Sequence, residues 1–386
     1  MKSISIKLLI VPLLICLTEG IFIFNASLRI RDLGGDEFII GLAVTLSAAA
    51  QILLSPFAGR FSDKVGREKI MHAGIFIYIG AMFGLAISPD YLLIIIFTGI
   101  HGAGYALFWP ALEALIADKS ERGILAQNLV LYNVFGSAGA FAGFFASGYI
   151  RNLSKSFGGG FPFYTVLIVY VLTAAYSYVL VRPKNKAAAT LQEHIEPMTK
   201  TERMYLIAGF FIIGSILFNL SIVNWFFPKF AADVGIPDET AGMLLSLTPF
   251  AQLATFILLG VLRPKFNSLS FLIAFLLTNI IAFVIFSTTS HIFLLGIATF
   301  LVGIAFGGCH SFGQYHTLLH PHSRGAKSGL YMTIASAGGL GGCFFGGLAA
   351  RLTGSIRAPF ILGLALAGLL LAAAFVVKLA ANAKSK

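Results

Sequence analysis

Gly59-Arg60-Phe61-Ser62-Asp63-Lys64-Val65-Gly66-Arg67-Glu68-Lys69 is a short polar stretch set between two long apolar segments. It is too short to link two domains. Two glycines allow the backbone to turn tightly, and Asp63, Lys64, Arg67, Glu68 and Lys69 place five ionisable side chains within seven residues. That density of charge is too costly to bury in hydrocarbon, so the stretch reads as a turn at a membrane surface with a spanning segment on either side.

Composition extends this reading to the whole chain. Of 386 residues, 58% are hydrophobic and 11% charged, whereas soluble domains carry roughly 25% charged residues. The mean hydropathy is +0.88. Twelve apolar runs are long enough for the ~20 residues a spanning helix needs: 7–29, 38–58, 70–87, 91–117, 124–150, 163–181, 204–227, 241–262, 268–287, 291–319, 328–350 and 359–378. They are continuously apolar rather than alternating, which argues against a transmembrane β-barrel. The first run follows Lys2 and Lys7 as a signal peptide would, but no small-residue cleavage site follows it and eleven further spans do, so it is expected to be retained.

Orientation follows from the basic residues. With the N-terminus inside, 20 of the 27 Lys and Arg fall on the cytoplasmic side and 7 on the outer side, which puts both termini in the cytoplasm. The same residues account for the net charge of +11 as membrane-edge anchors, so no nucleic-acid partner is expected. Cys16, Cys309 and Cys343 lie inside spans, and no disulfide framework is implied.

Residues 182–203, RPKNKAAATLQEHIEPMTKTER, form the one long polar stretch and read as a cytoplasmic linker between residues 1–181 and 204–386. The two parts repeat each other. Gly20, Phe24, Asn25 and Ser27 return as Gly214, Phe218, Asn219 and Ser221; Ala50, Gln51 and Gly59 return as Ala251, Gln252 and Gly260. Leu131, Tyr132, Ser137, Ala138, Gly139, Gly143 and Gly148 return as Leu330, Tyr331, Ser336, Ala337, Gly338, Gly342 and Gly347. Each match pairs span n with span n+6. Six spans restore the starting direction, so the symmetry axis must run along the membrane normal. Gly139/Gly143 and Gly338/Gly342 are small-xxx-small pairs, suited to close helix packing.

The pattern G-x-x-x-D-K-x-G-R-x-K at 59–69 resembles the signature loop between the second and third helices of the major facilitator superfamily, with Glu68 where a basic residue is more usual. The resemblance implies an all-α membrane protein of twelve transmembrane helices, arranged as two six-helix halves around a central cavity lined mainly by helices 1, 4, 7 and 10. It also implies gating roles for Gly59, Asp63, Lys64, Gly66, Arg67 and Asp118. Asp63 is expected to face the N-terminal end of helix 11 and Arg67 to pair with Asp118, so that the halves are latched on the cytoplasmic side. Two positions depart from the family: Phe144 follows Gly143 where drug antiporters carry a proline, and Thr98 stands four residues before Gly102 where many relatives carry an arginine.

Within the spans, Glu19 and Glu113 are the clear acids, and no Lys or Arg sits mid-span. A buried carboxylate tends to take up a proton, which makes Glu19 the first candidate for proton coupling; the competing reading is an acid hydrogen-bonded to a neighbouring helix. Glu113 reads as structural, near Asp118. Helix 10 and its exit carry Cys309, His310, Gln314, His316, His320 and His322. His310 is a second candidate for proton or substrate contact against a packing role, while a transition-metal path would need three or four converging ligands. Asn25, His101, Tyr105, Trp109, Asn219, Asn224, Trp225 and Gln314 are the remaining candidates for the cavity wall, with Asn25 and Asn219 expected to face each other across the axis.

With no buried cation to balance an anion, amides, aromatic rings and one acid suit a neutral or cationic organic solute. The expectation is a secondary transporter in an inner membrane, working by alternating access and coupled to protons. Alternatives are efflux of drugs or of lysolipid-type amphiphiles, and transition-metal transport through helix 10. No enzyme chemistry, cofactor or resident metal is expected, and the molecule is read as a monomer.

Overall fold

The computed structural model describes residues 5–120, 125–180, 200–262, 269–318 and 324–383. These form twelve α-helices: α1 (Ile6–Asp32), α2 (Glu37–Val65), α3 (Arg67–Ile87), α4 (Tyr91–Asp118), α5 (Leu125–Phe157), α6 (Phe161–Leu180), α7 (Lys200–Asp233), α8 (Asp238–Leu262), α9 (Leu269–Thr288), α10 (Ile292–Leu318), α11 (Arg324–Thr353) and α12 (Ala358–Ala383). Each of the twelve expected spans coincides with one of them. Eleven are long and apolar enough to cross a membrane, and α12 contributes a shorter apolar segment, Ala358–Ala372, among the described residues. The linker expected at 182–203 lies mostly outside the described residues, and α7 already begins at Lys200.

The polar stretch at 59–69 is tighter than a hairpin loop. Residues to Val65 remain in α2 and α3 starts at Arg67, leaving only Gly66, at φ 111°, outside a helix. Gly59 is thus a helical residue, and the turn needs the left-handed freedom of one glycine rather than two. The cause is that charged side chains are as compatible with a helix as with a loop once the backbone has left the hydrocarbon.

The internal repeat is visible in the packing. A Cβ on Gly139 or Gly143 of α5 would run into the Leu13 or Leu17 carbonyl of α1. The repeat-related Gly338 and Gly342 of α11 meet the Gly214 and Phe218 carbonyls of α7 in the same way. Absent side chains let backbones touch, which is how helices associate in lipid. Contact between the halves uses other pairs: Gly148 of α5 lies against Asp238 of α8, and Gly347 of α11 against Glu37 of α2. Each half lends its fifth helix to the other half's second helix.

Connections repeat as well. Both α1 and α7 end in a glycine in the left-handed region, Gly34 and Gly235, each at φ 82°. After each turn an aspartate opens the next helix: Asp36 caps α2 by accepting from Ile39 N at 3.0 Å, and Asp238 starts α8. These turns share one end of the bundle with the other odd-to-even connections. The opposite end, the terminal face, carries the first and last helix termini and Gly66.

Candidate functional site

A cavity of about 330 Å³ lies between the halves, with walls from α1, α2, α4, α5, α7, α8, α10 and α11. That is wider participation than helices 1, 4, 7 and 10 alone. His101, Tyr105 and Trp109 recur every four residues along α4, so they share one helical face, and all three line the cavity. On α1 the same logic brings Cys16, Glu19, Gly20 and Ile23 to the wall, and on α7 Leu217, Leu220, Ser221 and Asn224. Trp225 completes an aromatic rim with Phe22, the rings meeting edge-on with centroids 5.8 Å apart. Glu19 is the single acid among the described lining residues, which include no Lys or Arg.

Glu19 does not stand alone. Its Oε1 lies 3.1 Å from Nε2 of His101, across the α1/α4 contact. The geometry is a close charge contact rather than an aligned hydrogen bond, and the same Nε2 lies 3.3 Å from the Tyr170 hydroxyl. Phe22 and Tyr78 each hold the imidazole at a centroid distance of 4.5 Å, and Tyr78 stacks on Tyr170. With His101 buried, the ring is fixed between aromatic faces and can meet the carboxylate in one orientation. A proton shared by this pair makes it either a neutral acid beside an imidazole or an ion pair.

Of the residues singled out from sequence, Glu19, His101, Tyr105, Trp109, Asn224 and Trp225 line the cavity. The indole N–H of Trp109 is buried and has no hydrogen-bond acceptor among the described residues. Four candidates lie elsewhere. Asn25 is buried inside its own half, donating to the Ile21 carbonyl at 2.9 Å and the Ser147 carbonyl at 3.4 Å. Asn219 sits against Gly363 of α12. His310 stacks on Phe306 and its Nδ1 lies 3.1 Å from the Tyr331 hydroxyl. Gln314 accepts from Asn133 Nδ2 at 2.8 Å, joining α10 to α5 across the halves. Cys309 is buried, His320 and His322 lie outside the described residues, and no three His, Cys, Asp or Glu among the described residues gather as a metal site.

The structure also brings to the wall residues not singled out for it. Gln51 of α2 and Gln252 of α8 both line the cavity, and Gln51 accepts from the Ser336 hydroxyl at 3.0 Å. Their signal was the repeat itself: they are the polar members of the second match, and a pseudo-two-fold through a central cavity carries one wall residue onto another.

The motif at 59–69 meets part of its expectation. Arg67 Nε pairs with Asp118 at 3.0 Å, and Arg67 also donates to Ser62. Glu68, the departure from the family pattern, is buried and pairs with Lys119 at 3.7 Å. Both ion pairs join the start of α3 to the end of α4, within one half. The Asp63 side chain lies outside the described residues.

Four charged contacts between the halves lie at the face opposite the termini. Arg31 of α1 meets Asp233 of α7 at 3.0 Å, and Lys229 of α7 meets Glu37 of α2 at 2.6 Å. Arg151 of α5 approaches Asp238 of α8 at 4.0 Å and also pairs with Asp32, while Arg351 of α11 holds Asp36 at 2.6 Å.

The sequence profile of the Major Facilitator Superfamily matches residues 8–221, and that of the MFS_1 like family matches residues 153–360. Quinolone resistance protein NorA of Staphylococcus aureus (strain COL) is 23% identical over 365 residues, covering 93% of this chain and 92% of its own. Multi-drug resistance efflux pump PmrA of Streptococcus pneumoniae is 26% identical over 281 residues, covering 70% and 68%. Among solved structures, nucleoside transporter NupG superposes with a TM-score of 0.69 at 16% identity over 96% of this chain and 97% of its own. A bacterial homolog to the human lysosomal transporter Spinster, inward-facing and occupied, gives 0.73 at 14% over 97% and 96%. Twelve helices in two repeated halves, a cavity between them, the 59–69 motif and two overlapping profile matches agree: the chain belongs to the major facilitator superfamily.

Proposed function

We propose that this secondary transporter moves a small neutral or cationic organic solute through the cavity between its halves, coupled to protons at the Glu19 and His101 pair. The observation that carries the reading is the cavity wall itself: one carboxylate paired with an imidazole, an aromatic rim of Tyr105, Trp109 and Trp225, and amides from Gln51, Gln252 and Asn224. A cation would gain from the carboxylate and from aromatic faces, whereas an anion would meet no positive partner unless His101 were protonated. Proton coupling rests on His101 rather than His310, because His101 touches both the cavity and Glu19. The terminal face is read as cytoplasmic, from the 20 of 27 Lys and Arg on that side, and the membrane as an inner membrane.

A thermal-shift screen of purified protein at two pH values, against neutral solutes, organic cations and lysolipids, identifies ligands, since binding to the native state raises stability. Hits then enter proteoliposomes with an imposed pH gradient. A solute taken up or expelled in wild type, with gradient dependence lost in Glu19→Gln, supports the reading. Gradient-driven transport that survives Glu19→Gln removes the proton site.

Multidrug efflux is a second reading, favoured by the names of NorA and PmrA and by the aromatic wall. A list of chemically unrelated, mutually competing ligands in the same screen selects it, and one saturable solute selects a dedicated permease.

A further inference from the structure

The four ion pairs between the halves are not scattered. The fifth helix of each half carries, toward its C-terminal end, an arginine that approaches the aspartate opening the second helix of the other half: Arg151 to Asp238, and Arg351 to Asp36. The two contacts sit one residue apart in the repeat, since Gly148 matches Gly347 and Asp238 therefore matches Glu37 rather than Asp36. Between them runs a continuous chain that crosses the interface twice, from Arg31 to Asp233, along α7 to Lys229 at 2.6 Å, and on to Glu37. Only 7 Lys and Arg belong to this face, and four of them are engaged at the interface.

We infer that this cluster is the lock that keeps the cavity closed on the face opposite the termini, with Lys229 as its central member. Nearer the termini the halves are also joined by Asn133 to Gln314, and by Gln51 to Ser336 beside the cavity. To open, the face opposite the termini must separate several opposite charges. Lys229 is the strongest element, because its side chain is 13% exposed and that of Glu37 is 15% exposed. Arg351 and Asp36, at 45% and 41%, are screened by water and contribute little singly. The lock rests on the reading of this fold as an alternating-access transporter.

Cys16 provides the readout, since it lines the cavity while Cys309 and Cys343 are buried. Its rate of reaction with a small membrane-impermeant thiosulfonate would be measured from each face, in vesicles of both orientations, for wild type, Lys229→Gln and Arg151→Gln/Arg351→Gln. Lys229→Gln is expected to raise labelling from the locked face about tenfold, equivalent to about 1.4 kcal/mol, and to lower labelling from the terminal face. The double variant changes both rates in the same directions by less. Rates unchanged from both faces would overturn the lock while leaving the wild-type transport assay, and so the transporter reading, intact. A rise from both faces together would also overturn it, because that pattern marks a loosened fold rather than a shifted gate.

Discussion

Oε1 of Glu19 and Nε2 of His101 lie 3.1 Å apart, one on α1 and the other on α4, at the wall of the central cavity. Glu19→Gln keeps shape and hydrogen-bonding capacity but removes the charge change, so pH-gradient-driven transport is expected to fall at least about tenfold, the scale of one lost hydrogen bond to a charged group. His101→Gln should produce a similar loss. The two variants combined should cost little more than either alone, because they remove one unit. Downhill exchange of solute in the absence of a gradient is the control, and it should persist in all three. Additive losses in the double variant would separate the residues.

The glycines that seat α5 on α1 and α11 on α7 allow a stability prediction. Gly143→Leu forces a side chain into the Leu17 carbonyl, and Gly342→Leu does the same at Phe218. Each is expected to destabilise by roughly 1–3 kcal/mol through overpacking. Gly80→Leu on α3 meets open space and should be close to neutral. Thermal unfolding in detergent checks all three, and matching losses at Gly143 and Gly342 would show that the repeat is preserved energetically as well as in sequence.

Much of the architecture was legible because a bilayer allows few solutions. Spans, their number and the repeat follow from hydropathy and from matches such as Gly143 with Gly342, which the structure turns into matching contacts. Side-chain partnership was less legible. Glu19 stood out as an acid in an apolar span, yet its partner His101 is 82 positions away on α4, and nothing within α1 points to it. His310 carried the same chemical signal but is held by Phe306 and Tyr331, since nothing in a single helix tells which azimuth faces the cavity. Asn25 and Asn219 match in the sequence, but Gly143 packs on Leu17 where Gly342 packs on Phe218, a register that does not place the two asparagines at equivalent positions. The charged interface opposite the termini was hidden for another reason: its residues read as membrane-edge charges until the turns brought them together.

The gating motif supports a modest expectation for its best-defined ion pair. Arg67 and Asp118 are 18% and 45% exposed, so solvent screens them. A double-mutant cycle with Arg67→Gln and Asp118→Asn is expected to give a coupling energy of about 0.5 kcal/mol in thermal or denaturant unfolding. The single variants should leave the relative accessibility of the cavity from the two faces nearly unchanged, since both partners belong to one half. A large shift in accessibility would instead assign the pair a direct part in joining the halves.

Gln51 and Gln252 give the sharpest test of the cavity as a binding site. They come from α2 and α8, are related by the repeat, and present amides to the same space, though Gln51 is partly engaged by Ser336 and by Ser47 at 3.3 Å. An amide can donate and accept, so a solute carrying hydroxyl, amide or protonated amine groups can bridge the pair, and truncation should weaken binding rather than coupling. Gln252→Ala is expected to raise the half-saturating concentration about five- to tenfold, the scale of one neutral hydrogen bond, with the maximal rate and the pH dependence retained. Gln51→Ala should show a similar rise plus a small loss of stability, because it also frees Ser336. If both variants transport with wild-type saturation while Trp109→Leu does not, the solute is held by the aromatic rim and the amides serve only to join α2 and α8 to their neighbours.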